Sequence, residues 1–216
     1  MTAFAFARLL NPAPDSASLV LTTEGHLMIT VRGEIMARTD ALLLSSENIA
    51  ARPLNRRMLG RAVPEVFQRL VSLEGDGHLV LSRGFEQFYP LMLQRDLCFF
   101  VEQYIWAIES SLMWDVGLVP GSRQRRPIQL VRAAGEGAVA LRVPGELVAV
   151  KIAPERPYRV RDVGFIGWVG NVIAQVDPTT SPDETFLVCE GEGAVMMSLP
   201  GAGTTKRAEA TPRAID

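Results

Sequence analysis

The sequence has little cysteine and little histidine, two of each among 216 residues. A disulfide framework needs several cysteines, and a metal site needs His, Cys or carboxylates clustered at ligand spacing. His26 and His78 stand alone, and Cys98 and Cys189 lie within apolar runs. We therefore expect no metal and no cofactor. We also expect both cysteines to be buried packing residues rather than reactive thiols.

Neither sign of charge dominates, because 22 Lys and Arg stand against 24 Asp and Glu. This balance disfavours a strongly basic nucleic-acid module and an acidic disordered tail. Charged residues interrupt the most apolar windows, 97–114 and 160–176, so neither offers the roughly 18 uncharged residues of a membrane-spanning helix. The first ten residues lack the charge order of a secretory signal. We expect a soluble protein without a transmembrane segment, located in the cytoplasm.

The common catalytic signatures are missing as well. The chain has no Gly-x-Ser-x-Gly elbow, no Walker-type Gly-Lys-Ser/Thr loop and no His-Glu-x-x-His. We therefore expect a protein that is not an enzyme. The alternative is a site built from the carboxylates of Glu102, Glu109 and Asp162, although acids that alternate with apolar residues usually form the solvated face of a strand. Two of them buried together in one cavity would favour an enzyme.

The chain is rich in apolar residues, at 48%. They occur in short alternating runs that Gly or Pro ends every eight to twelve residues or so, a pattern typical of strands. Residues 27–31, before Gly33, and 147–152, before Pro154, are examples. The pattern predicts an all-β chain with little helix, the helical candidates being 63–70 and 46–52. We predict one β domain over 17–200, a lead-in at 1–16 and a disordered tail at 201–216.

A Gly-acid-Gly triplet followed by an apolar run occurs three times in the chain. Each copy predicts a tight turn between two strands, because glycine adopts the positive φ that such reversals need. A second motif, an apolar run with a small residue at Ala37, Ala107 or Gly167, recurs between the triplets. We therefore predict three similar β units in one body, since one unit could not bury its own apolar face. The predicted turn glycines are Gly75, Gly77, Gly135, Gly137, Gly191 and Gly193.

Two segments are rich in arginine. Both are candidates for binding the phosphate groups of RNA or of another anionic ligand. Neither has interleaved aromatic residues, and the chain as a whole carries a net charge of −2. Solvated loops are therefore the favoured interpretation, and anion binding is the alternative. The residues are Arg52, Arg56, Arg57 and Arg61 in the first segment and Arg123, Arg125 and Arg126 in the second.

The three triplets and the runs between them resemble the altered inheritance of mitochondria protein 24 family, a group of bacterial proteins with fungal mitochondrial relatives. The copies are residues 74–77, 134–137 and 190–193, and the resemblance covers roughly residues 18–199. The glycines match the family's Ser-Gly-Pro-Gly type turn, whereas the flanking residues do not. Residues 51–64 replace a Gly-rich stretch that many bacterial members have. The chain is thus identified as a divergent member.

This resemblance implies a compact body of three β units, with a double-stranded-β-helix-like fold related to that of the tryptophan-binding RNA attenuator (TRAP). The fungal relatives are associated with the organisation of mitochondrial inner-membrane complexes, and no catalytic residue transfers to this chain. We expect a non-enzymatic β scaffold or interaction protein that forms a homo-oligomer or binds a protein partner through apolar strand faces. An RNA- or anion-binding module is the alternative, with nucleic acid as the less favoured partner.

Overall fold

The computed structural model describes residues 17–54, 57–58, 61–62, 69–124, 127–181 and 184–200, without the side chains at 57, 58, 61, 62, 124 and 200. The predicted lead-in at 1–16 and tail at 201–216 lie outside these residues, as does most of the helical candidate at 63–70.

The described residues form an almost entirely β structure, which confirms the predicted fold class. Helical structure is limited to short 3₁₀ turns, including the Glu102 turn (Glu102–Tyr104), the Asp162 turn (Asp162–Gly164) and Ser122–Gln124. The helical candidate at 46–52 is wrong, because a turn at 47–48 leads into the strand that begins at Ala50. None of the described helical segments is long and apolar enough to cross a membrane.

The strands are β1 Leu19–Leu21, β2 Leu27–Ala37, β3 Leu42–Ser45, β4 Ala50–Pro53, β5 Arg57–Met58, β6 Arg61–Ala62, β7 Val71–Leu81, β8 Gln87–Val101, β9 Ile105–Glu109, β10 Met113–Leu118, β11 Gln129–Val143, β12 Gly145–Ile152, β13 Tyr158–Arg161, β14 Phe165–Val176 and β15 Phe186–Pro200.

Thirteen of these strands belong to one antiparallel sheet. Its main order is β12-β15-β14-β8-β11-β9-β2-β7-β3, with β1 on β2, β10 on β11, β13 on β15 and β4 on β7. Strands β5 and β6 form a separate hairpin. The sheet order therefore ends in β12 on one side and in β3 on the other.

The six glycines of the triplets lie inside continuous strands, so the predicted tight turns are wrong. Strands β7, β11 and β15 each contain one triplet and continue through it. Along one edge each pairs with a single long strand: β2, β8 or β14. Along the other edge the partner changes near the triplet, from β4 to β3, from β10 to β9 and from β13 to β12. The glycines of the triplets, Gly75, Gly77, Gly135, Gly137, Gly191 and Gly193, thus mark the places where these strands change partner.

Close backbone approach explains why glycine stands at two of these positions. Gly75 has φ +139, and a Cβ there would lie 2.2 Å from the carbonyl oxygen of Asn48. Gly191 has φ +109, and its Cβ would lie 2.2 Å from the carbonyl oxygen of Asn171. A side chain has no room at either place, and L residues rarely adopt such a φ. Glycine is therefore required at these two positions, but within a strand and not at a turn. The three-unit, TRAP-like arrangement stays a prediction.

The core consists of two clusters of buried apolar side chains. The larger lies around Phe100, Leu141 and Phe165, and the smaller around Leu27 and Trp106. Most of these side chains come from β2, β7, β8, β9, β11, β14 and β15. The alternation of apolar and polar residues predicted in the sequence directs them to the buried face.

The two cysteines are buried members of the larger cluster, as predicted. Burial raises the pKa of each thiol to about 11, assisted at Cys98 by the nearby negative charge of Asp96. Both thiols are therefore protonated at neutral pH, the unreactive form. The described part of the chain also brings together no group of three or more His, Cys, Asp and Glu residues that could hold a metal ion.

Candidate functional site

The described arginines of the two arginine-rich segments lie on different elements. Arg52 is on β4 and forms an ion pair with Glu74 on β7, with 3.1 Å between the guanidinium and the carboxylate. Arg123 lies in the 3₁₀ turn after β10. Arg57 and Arg61 belong to the β5–β6 hairpin, and their side chains are outside the described residues, as are Arg56, Arg125 and Arg126 entirely. Anion binding by these segments stays a prediction, and Arg52 already has an anionic partner.

Of the three candidate carboxylates, that of Glu109 forms hydrogen bonds within the fold. Its side chain accepts hydrogen bonds from the Ser18 hydroxyl and from the backbone N–H of Ala138, the latter at 2.6 Å. These bonds connect the end of β9 to the segment before β1 and to β11. Glu109 therefore uses both carboxylate oxygens within the fold and does not line the cavity described next.

Glu102 and Asp162 line one cavity of about 380 Å³. Each is the first residue of a 3₁₀ turn that joins two strands, β8 to β9 for Glu102 and β13 to β14 for Asp162. In both turns the residue before the acid is extended, and the residue after the turn donates its backbone N–H to the carbonyl of the acid. The same local geometry thus brings two carboxylates, 60 residues apart in the chain, to one cavity. The other polar residues of the lining are Arg69, Gln103, Tyr104 and Gln129.

The Glu102 side chain is the buried acid of this cavity. The residue is only 5% exposed, and its carboxylate forms no hydrogen bond or ion pair with a described residue. Its oxygens are not among the fully buried, unpartnered atoms of the described residues, so they still reach the cavity. Burial raises the pKa of Glu102 above its ordinary value, and the positive charges of Arg69 and Arg38 offset this only in part. A buried carboxylate without hydrogen-bonding partners is costly to the fold.

The raised pKa of Glu102 predicts a pH-dependent contribution to stability. Below the ordinary pKa of 4.5, Glu102 is neutral in both the folded and the unfolded chain. As the pH rises, the unfolded chain ionises first, so stability falls until the pH passes the raised pKa of the folded state. Glu102→Gln removes this titration. We expect the variant to be more stable than the wild type at pH 7 and nearly equal to it at pH 4, as measured by urea unfolding. A difference that is the same at both pH values would contradict the assignment.

A second cleft, of about 350 Å³, lies on the other side of the Glu102 turn and is built around Trp106. The guanidinium carbons of Arg38 and Arg142 lie 4.7 and 4.4 Å from the Trp106 ring centre. Arg38 donates to the Gln103 carbonyl at 3.1 Å, and Arg142 pairs with Glu86 at 2.9 Å. Because both cations already have partners, we interpret this cluster as structural. The sequence analysis missed it, since only the pairing of β2, β9 and β11 brings these residues together.

The edge strand β3 exposes a continuous apolar surface. Leu42, Leu43 and Leu44 are 44%, 59% and 55% exposed, and β3 is the last strand in the main sheet order. A register shift against β7 between Leu42 and Leu44 leaves Leu43 as an extra residue. The strand has neither a charged residue nor a proline, two of the devices that usually protect an edge.

The opposite edge of the sheet, β12, is also apolar over most of its length. Leu147, Val148 and Val150 are half-buried, and Lys151 is exposed near the end of the strand. The Leu147 backbone N–H donates to the hydroxyl of Tyr89 at 3.2 Å. The Tyr89 side chain therefore contacts the first part of this edge, and from Val148 onward no other described strand pairs with the outer side of β12.

No family model and no curated protein matches this chain. Among solved structures, the chain is similar to the X-ray crystal structure of protein SPYM3_0169 from Streptococcus pyogenes, with a TM-score of 0.67 and 11% sequence identity. The match covers 84% of this chain and 92% of the streptococcal one. At this level of identity the similarity shows the fold alone. The fold and surfaces described above define an all-β protein built on one large antiparallel sheet.

Proposed function

We propose that this protein is a non-enzymatic β scaffold that assembles by pairing edge strand β3 of one copy with edge strand β12 of the next. The observation that carries the proposal is the row of three exposed leucines, Leu42, Leu43 and Leu44, on a strand at the end of the sheet. An open apolar edge without charge or proline is a template for another strand. Pairing would cover these leucines and satisfy the outward N–H and C=O groups of both edges.

Charge supports β12 as the partner edge. In antiparallel pairing the beginning of β3 lies beside the end of β12. Asp40, which is 61% exposed, precedes β3, and the exposed Lys151 lies near the end of β12. Opposite charges therefore meet at one end of the contact while leucine meets valine and alanine in the middle. Two different edges make the contact heterologous, which closes into a ring when the rotation between copies allows it.

The test is the mass of the full chain in solution, measured by light scattering on a sizing column. We expect the wild type to have a multiple of the chain mass. Leu43→Glu places a charge in the middle of β3 and is expected to reduce the mass to that of one chain, because its carboxylate would lose hydration beside the apolar side chains of the added strand. A monomeric wild type would contradict the proposal.

A matched control separates edge pairing from general surface hydrophobicity. Phe85 lies between β7 and β8, on neither β3 nor β12, and is 99% exposed, so Phe85→Glu removes an exposed apolar side chain without changing either edge strand. We expect this variant to keep the wild-type mass. Lys151→Glu tests the partner edge: a reduced mass supports β12, and an unchanged mass means that β3 pairs with a different surface.

Membership of the altered inheritance of mitochondria protein 24 family, the three-unit TRAP-like arrangement and the cytoplasmic location stay predictions. They are compatible with a scaffold role, and the fold similarity to the streptococcal protein does not bear on them. The alternative function, RNA or anion binding through the arginine-rich segments, also stays a prediction. It expects salt-dependent retention on a polyanion, weakened by replacing Arg52 and Arg123.

A further inference from the structure

The cavity between the Glu102 turn and the Asp162 turn has more negative than positive charge on its described lining. Glu102 and Asp162 supply two carboxylates and Arg69 one guanidinium. Neither carboxylate forms an ion pair with a described residue. Arg38, the other cation near Glu102, lies behind the Glu102 turn, where it contacts Asp40 at 3.5 Å and the Gln103 carbonyl. Arg38 therefore has an anionic neighbour of its own, and the described lining of the cavity carries two negative charges and one positive charge.

The placement of Glu102 indicates a binding role rather than a packing role. A residue that serves only the fold is stabilised by hydrogen bonds, as Glu109 is through Ser18 and Ala138. Glu102 is 5% exposed, lines the cavity and lacks such bonds among the described residues. Burying a charge without a partner is unfavourable unless a ligand supplies one. A cation held against Glu102 would remove that cost.

The size and polarity of the cavity limit the kinds of cation that it can bind. A volume of about 380 Å³ lies in the range of small-molecule sites. The amide side chains of Gln103 and Gln129 can donate and accept hydrogen bonds, and Arg69 lies on the same lining. These two carboxylates are far fewer than the roughly six to eight oxygen ligands that Ca²⁺ takes, and Mg²⁺ held by so few carboxylates usually needs the phosphates of a substrate as well. An ammonium group, by contrast, is satisfied by two carboxylates and an amide oxygen.

We propose that this cavity binds a small organic molecule that carries a protonated amine, with Glu102 as the principal anion and Asp162 as the second. The binding role is independent of the assembly through β3 and β12, because neither carboxylate lies on those strands. Asp162 is only half-buried, so the pair does not meet the condition of two buried carboxylates that would favour an enzyme, and the proposal gives both a role in binding.

The test uses the full chain and the probe 1,4-diaminobutane, with 1,4-butanediol as the uncharged molecule of matched length. Isothermal titration calorimetry at pH 7.5 and low salt is expected to show saturable binding of the diamine and none of the diol. Glu102→Gln keeps the shape of the side chain and removes its charge, and we expect at least about a tenfold loss of affinity for the diamine. Asp162→Asn is expected to give a smaller loss.

The control is Glu136→Gln, which removes an exposed carboxylate that pairs with Arg95 on β8, outside the cavity. We expect its affinity for the diamine to equal that of the wild type. Failure of the diamine to bind the wild type, or equal affinity of Glu102→Gln and the wild type, would overturn the proposal. Should Glu102→Gln fold poorly, Asp162→Asn decides: an unchanged affinity in that variant also overturns it. Assembly mass, measured on the same samples, tests the scaffold function separately.

Discussion

Gly167→Ala is expected to prevent the chain from folding to a stable sheet. A Cβ at Gly167 would lie 1.9 Å from the carbonyl oxygen of Phe99, and φ there is +154. The obstacle is backbone, so no side-chain rotation relieves it. Strand β14 pairs with β8 through three residue pairs, of which Gly167–Phe100 is one, and this short ladder connects β12, β15 and β14 to the rest of the sheet. We expect a loss of about 4 kcal/mol or more, in the range of severe core defects, seen as loss of the urea unfolding transition.

Gly117→Ala is the matched control for that prediction. Gly117 lies on β10, no atom of a described residue other than its chain neighbours lies within 4 Å of the position its Cβ would take, and its φ is not in the left-handed region. The added methyl reduces the freedom of the unfolded chain without strain, so the change in stability is expected to stay within about 1 kcal/mol. Equal stability of the two variants would show that β14 and β8 do not approach as described.

Trp106→Ala is expected to cost about 3–5 kcal/mol of unfolding free energy, the usual cost of deleting a buried large aromatic side chain. Trp106 is 5% exposed and meets the Phe88 ring edge-on, with 5.6 Å between the ring centres. The guanidinium groups of Arg38 and Arg142 cover it. Deletion removes the apolar contacts and both cation–π contacts together, so the two arginines lose the aromatic ring against which they pack. Urea unfolding monitored by circular dichroism measures the loss.

Two further variants separate the ring from the general effect of losing an aromatic residue. Trp106→Phe keeps an aromatic face for Arg38 and Arg142 and is expected to lose less than half as much stability as Trp106→Ala. Phe85→Ala removes a ring that is 99% exposed and is expected to change stability by less than about 0.5 kcal/mol. A loss at Phe85 comparable to that at Trp106 would contradict the burial of the Trp106 cluster.

Local sequence pattern was sufficient for the fold class. The runs at 27–31 and 147–152 lie in β2 and β12 as predicted. Successive side chains of a strand point to opposite faces, so a strand with one buried face alternates apolar and polar residues along the sequence. The apolar context of Cys98 and Cys189 predicted their burial for the same reason. These properties depend on residues next to each other in the chain.

Such patterns do not indicate which strands pair with each other. A Gly-acid-Gly triplet is compatible both with a tight turn and with a close approach of neighbouring backbone inside a sheet, since both favour glycine. Whether β7, β11 and β15 continue through their triplets depends on the strands along both edges, which come from distant parts of the chain. The wrong prediction of turns at these glycines has this cause.

The sequence by itself determined that this chain is β-rich, that its cysteines are packing residues and that a Gly-acid-Gly triplet adjoins an apolar run in three places. Only the tertiary structure decided that Glu102 and Asp162 share a cavity while Glu109 is bound within the fold, that two arginines enclose Trp106, and that the leucines of β3 lie at an open edge. The physical reason is that antiparallel pairing brings together residues far apart in the chain. Strand periodicity records which face a residue occupies, but not which residues face it.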